Sequence, residues 1–136
     1  MTQQMKPGVS VKVIGSLIIL TAIIIALGMF TQKKLYIDST NLGSAIEEIQ
    51  NCAREGKWDR AAAILDQVVK DWGKIKKTWS SLIDHQEIDN IDVTLSRLRP
   101  LLEARDTSSA LSEASALSRY IKHIPEREKL SIDNLL

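Results

Sequence analysis

The chain has 136 residues and a formal net charge of +1, from 18 basic and 17 acidic side chains, with a single cysteine. That length allows one domain, and a near-neutral balance gives no electrostatic footprint for nucleic acid. With only Cys52 present, an intrachain disulfide, a thiolate metal site and a CxxC redox pair are all excluded.

After a short tail, residues 1–12, comes "VIGSLIILTAIIIALGMF", residues 13–30, which has no charge and only Ser16 and Thr21 as polar side chains. Its 18 positions span about 27 Å as a helix, close to the roughly 30 Å hydrocarbon core of a bilayer, so the stretch reads as a transmembrane anchor. Lys12 on one side and Lys33 with Lys34 on the other bracket it as interface anchors. The alternative is a cleaved signal peptide with its small-residue site at Ala26, Leu27 and Gly28. The uncleaved anchor is preferred because apolar residues continue through Met29 and Phe30 and secretory h-regions run about 7 to 15 residues. Two lysines flank each side, so the positive-inside count is tied. The α-amino group and the short tail favour an N-terminus in the cytoplasm and a body outside it.

Residues 31–124 carry a heptad pattern four times. Leu42, Ile46, Ile49 and Ala53 follow alternating steps of three and four before Gly56. Trp58, Leu65, Trp72 and Trp79 are spaced by seven, with Ala61, Val68, Ile75 and Leu82 in the companion position. Ile88, Ile91, Leu95, Leu98 and Leu102 repeat the pattern after Asp84, as do Ala110, Ala114, Leu117, Ile121 and Ile124 after Asp106. Such seams predict four amphipathic helices, and short joints predict an antiparallel up-down-up-down four-helix bundle in an all-α protein. Lys70, Lys74 and Lys77 fall on the opposite, solvated face of the tryptophan helix.

The joints are legible as well. Gly56 suits a left-handed helix end; Trp58 with Asp59 opens the next helix. Asp84 suits an N-cap with Glu87 reaching back and an Ile83–Ile88 staple, and Asp106 with Thr107 offers the following cap. Pro100 lies inside a helix and predicts a kink, whereas Pro125 predicts a stop. Residues 125–136, "PEREKLSIDNLL", then read as a tail whose Ile132, Leu135 and Leu136 fold back onto the bundle; a partner-docking peptide is the alternative. The three tryptophans read as the wide half of a core whose small partners are Ala45, Ala53, Ala110 and Ala114, each indole N–H needing an acceptor. An aromatic ligand groove is the sharper alternative.

Only "DHQEIDNID", residues 84–92, resembles a reaction centre. His85, Asp89 and Asp92 could share one helix face as metal ligands, but carboxylates in a first helical turn also answer the macrodipole, and no metal or catalytic assignment is made. Neither His85 nor His123 has Glu three residues earlier, which excludes the Glu-x-x-His chemistry of di-iron bundles. No cofactor signature is present.

The apolar anchor, "EGKWDRAAA", "WSSLIDHQEIDNID", "LSRL" and the closing "HIPEREKLSIDNLL" together resemble a family of small membrane-anchored proteins from spore-forming Gram-positive bacteria, known only as a domain of unknown function. The most specific parts are Trp79, His85, Glu87 and Asp89 with their spacing, and the end Asn134-Leu135-Leu136. The resemblance implies a bacterial, membrane-tethered helical domain and carries no catalytic residue. The expected function is therefore non-enzymatic. It is an accessory or assembly role through an unidentified protein partner and, by residues 13–30, the bilayer. A ligand-sensing domain outside the cytoplasm is the alternative, and a hydrolase using His85 and Asp89 is the third reading.

Overall fold

A computed structural model describes residues 10–134, the side chains of 131–133 excepted. It contains four helices and, among the described residues, no strand: α1 is Val11–Arg54, α2 Trp58–Trp79, α3 His85–Glu103 and α4 Thr107–Asp133. The anchor and the first body helix, expected as separate segments meeting at residue 30, are one helix of 44 residues, about 66 Å long. No proline interrupts it, and the steps of three and four that run back from Ala53 continue through Ser39 to Leu35, so nothing local ends the helix at the joint.

The helices surround one hydrophobic core. α1 packs against α4 and α2, and α3 packs against the same two. Every seam residue from Leu42 to Ala53, from Ile88 to Leu102 and from Ala110 to Ile124 is buried. In α2, Ala61, Leu65, Val68, Trp72 and Trp79 are buried, while Trp58 and Ile75 are half-buried. Leu82 is an exception: α2 ends at Trp79, so the seam does not reach it, and it stands exposed in the following turn. Side-chain bonds between helices fall in reverse order along each neighbouring pair. Between α1 and α4 they join Gln32 to Pro125, Ser39 to Ile121 and Gln50 to Ser115. Asp38 meets Trp79 and Glu48 meets Arg60 between α1 and α2. Asp66 meets Arg99 and Trp72 meets Asp92 between α2 and α3; Glu87 meets Arg127 and Arg97 meets Glu113 between α3 and α4.

Two joints use the same backbone device. After α1, Gly56 adopts φ 72° while its N–H donates to Ala53 O and that of Lys57 donates to Cys52 O. After α3, Arg105 adopts φ 55°, its N–H bonding Leu102 O and that of Asp106 bonding Leu101 O. Both are Schellman ends, one with the expected glycine and one with a residue for which the left-handed region costs about 1–2 kcal/mol. Asp84 caps α3 by accepting from Gln86 N–H at 2.9 Å. Glu87 does not complete a capping box, because its carboxylate pairs with Arg127 of α4. Asp106 caps α4, accepting from Ser109 N–H at 3.0 Å, and the hydroxyl and N–H of Ser109 hold its carboxyl below the usual aspartate range.

Pro125 does not stop the last helix, which runs on to Asp133. A proline deprives the carbonyl four residues earlier, here Ile121 O, of its helical donor. The buried hydroxyl of Ser39 on α1 donates to that oxygen at 2.9 Å. The Pro125 carbonyl in turn accepts from Gln32 Nε2 at 2.8 Å. Helix α4 is thus supported by α1 on both sides of its proline, and the element boundary expected at 124/125 is absent. The fold-back of Ile132, Leu135 and Leu136 lies outside the described side chains and residues. Pro100 lies in the last turn of α3, inside the helix as expected.

Candidate functional site

The reactive-looking stretch begins at the α2–α3 joint. His85 is the first residue of α3 and Asp89 lies one turn further on; both are exposed. Asp92 is half-buried and its two oxygens are already engaged: Oδ1 accepts from Trp72 Nε1 at 2.7 Å, and Oδ2 pairs with Lys76. Asp92 therefore joins α2 to α3 and is turned away from a shared ligand set with His85 and Asp89. Among the described residues no three His, Cys, Asp or Glu side chains gather closely enough to hold a metal ion.

Two of the three tryptophans form a closed unit, with Trp58 left half-buried at the start of α2. Trp72 and Trp79 pack edge to face, ring centroids 5.6 Å apart and planes at 90°. Trp79 is wholly buried, and its Nε1 donates at 3.3 Å to Asp38 Oδ2. Asp38, itself buried, accepts two bonds from Lys34 Nζ at 2.8 and 3.0 Å. Sequence reasoning asked for an indole acceptor without finding this one, because Asp38 is 41 residues away and sits on the helix that also carries the apolar run. The signal was available in the α1 register: Asp38 neighbours Ser39, which continues the seam between Leu35 and Leu42. Of the proposed small core partners, Ala53, Ala110 and Ala114 are buried and Ala45 packs against the core.

A surface groove of about 660 Å³ runs between α1 and α2. Its lining includes apolar Leu42, Ala45, Ile64 and Val68. Charged Lys34, Lys74, Glu48 and Arg60 line it as well. No tryptophan contributes to it. Near the α1–α4 contact, Gly43 is buried and a Cβ there would lie 3.2 Å from Cε of Lys122, so the lysine stem is draped over bare α1 backbone. Cys52 is buried in the core and has no disulfide partner.

The first half of α1 differs in kind from these surfaces. It is long and apolar enough to cross a membrane, and none of its most apolar window is buried inside the protein. A signal sequence near an N-terminus meets the same description. Comparison with known proteins gave no match among curated proteins and none among solved structures. Residues 29–135, which take in the second half of α1 and the rest of the helical body, match the model described as "Domain of unknown function (DUF4363)", and the chain belongs to that family.

Proposed function

We propose that this chain is a single-pass membrane protein whose helical body works through contacts with another protein at the membrane surface, in an accessory or assembly role without catalysis. One observation carries the reading: α1 is a single helix whose first part is apolar and unburied while its second part supplies a face of the core. A soluble protein would leave that first part, with its run of exposed isoleucines and leucines, facing water at large cost. In this reading the body is an antiparallel up-down-up-down bundle, supported by the reversed order of contacts in all four helix pairs. Its setting is a bacterial cell membrane, as the family resemblance implies, with the body outside the cytoplasm.

The α1–α2 groove supports protein contact, since an apolar floor with a charged rim is the ordinary anatomy of an interface. Ligand sensing ranks second, because Trp72 and Trp79, which would line an aromatic pocket, are enclosed in the core. The hydrolase reading ranks third because Asp92 is committed to Trp72 and Lys76.

Photo-cross-linking from the α1–α2 groove in native membranes is the test. The expected result is one protein recovered reproducibly with the chain; repeated recovery of the chain alone would oppose the reading. Intact-mass measurement of the membrane-extracted chain decides between an anchor and a signal peptide cut after Gly28. A His85→Ala, Asp89→Ala double variant that loses function would bring the hydrolase forward.

A further inference from the structure

Beyond residue 30, the large hydrophobic side chains left exposed among the described residues are Tyr36, Ile37, Val69, Leu82, Val93 and Leu130. Val69 and Val93 lie midway along α2 and α3. The other four collect at one end of the body, the end from which the apolar run of α1 departs. Contacts place them there. Trp79, at the close of α2, reaches Asp38, and the turn that follows holds Leu82, whose N–H bonds Trp79 O. Pro125 meets Gln32, Arg127 meets Glu87 at the start of α3, and Leu130 comes less than one turn after Arg127.

Helix geometry gives these residues a depth. Tyr36 follows Phe30 by six residues, a rise of about 9 Å, and side chains on a helix lean toward its N-terminus, here toward the apolar run. The headgroup layer on each side of a bilayer is about 5–8 Å thick, so Tyr36, 63% exposed, and Ile37, 44% exposed, reach its outer edge. Lys33 and Lys34 lie about 5–6 Å from Phe30, where lysine stems lie along apolar surface while the ammonium groups meet phosphate. Tyrosine at this level matches the amphipathic belts of membrane proteins. Charges around the end are mixed: Lys33, Lys34, Lys77, Arg127 and Lys129 are accompanied by Asp84, Glu87, Asp89, Glu126 and Glu128, with Arg127 paired to Glu87. Attraction to anionic lipid is therefore not the driving term; apolar and aromatic contact is.

We propose that this end of the body, through Tyr36, Ile37, Leu82 and Leu130, seats in the headgroup layer of the bilayer that α1 crosses. The proposal rests on the anchored reading above. It orients the body, with the α2–α3 joint and the C-terminal part of α4 toward the lipid and the Gly56 and Arg105 joints facing away.

The test uses the full chain with Cys52→Ala and one new cysteine at Leu82, at Leu130 or, as control, at Val93, each carrying an environment-sensitive fluorophore. The labelled chains are reconstituted in phosphatidylcholine vesicles containing a lipid with a headgroup nitroxide, and circular dichroism confirms helicity. Emission at the Leu82 and Leu130 sites should shift to the blue and be quenched about twofold more than at Val93, because nitroxide in the interface reaches only groups seated there. Equal quenching at the three sites, in chains that resist carbonate extraction, would overturn the proposal while leaving the anchor intact. Extraction of the chain by carbonate would overturn the anchored reading itself, and this inference with it.

Discussion

The two halves of α1 share a backbone and differ in what surrounds their side chains. From Val13 to Phe30 the helix is apolar on every face and is not buried in the protein; from Leu35 to Ala53 its seam of steps of three and four is buried, and Tyr36 and Ile37 are the large apolar side chains left exposed there. A helix that is apolar all round must be buried in something, and here the protein does not supply the cover. The second half shows the amphipathic stripe of a helix packed between two protein neighbours, α2 and α4. The contrast divides one unbroken rod into a part the protein covers and a part it leaves uncovered, and the two can be disturbed independently.

The largest effect should come from charging the first half. Ile19→Lys with Ile24→Lys adds about 2.5–3.5 kcal/mol of insertion cost per lysine near the centre of a span. Carbonate extraction should then release the chain, while denaturant unfolding of the body stays unchanged. Trp79→Ala should do the reverse, costing about 3–5 kcal/mol in chemical denaturation through the cavity it opens, with membrane retention unaltered. If either variant moved both measurements, the division of α1 would fail.

A smaller effect sharpens the comparison where the halves adjoin. Ser39→Ala removes the hydroxyl that donates to the Ile121 carbonyl and should destabilise the body by about 1–3 kcal/mol. With Pro125→Ala in place, the helix regains its own donor to that oxygen, and Ser39→Ala should then cost less than about 1 kcal/mol. Additive costs would mean that the serine does not serve the proline. The smallest change lies away from α1: Arg105→Gly should stabilise the body by about 0.5–1 kcal/mol in the same denaturation assay, relieving the left-handed side chain that Gly56 avoids at the matching joint.

Local periodicity carried the core into view. Spacing alone named the buried seams of all four helices, with Leu82 exposed and Trp58 and Ile75 half-buried in the second, because an apolar stripe at steps of three and four has few uses other than burial. The same rule, followed through a polar residue, would have carried the first seam back from Leu42 through Ser39 to Leu35 and joined anchor to body. Ser39 hid that continuity, since a hydroxyl reads as surface until its acceptor on a distant helix is known. Pro125 misled for the matching reason: the carbonyl it deprives, Ile121 O, is bonded by a hydroxyl 82 residues away. Glu87 had two good uses, a local cap and a distant arginine, and nearness in sequence favoured the wrong one. Arg105 carried no signal, because left-handed backbone is announced by glycine or asparagine and not by arginine. Of the reaction-centre candidates, Asp92 is engaged by Trp72 and Lys76 of the neighbouring helix, a pairing that spacing within one helix cannot reveal.

The absence of a hinge in α1 has a mechanical consequence. Residues 31–54 extend about 36 Å beyond the apolar run, and spans in bilayers tilt by about 20°. With residues 13–30 embedded, such a lean would swing the tip at Arg54 sideways by about 12 Å, carrying α2, α3 and α4 with it. Thinning or thickening of the lipid would thereby be converted into displacement at the outer tip, as a mast reports the heel of its hull.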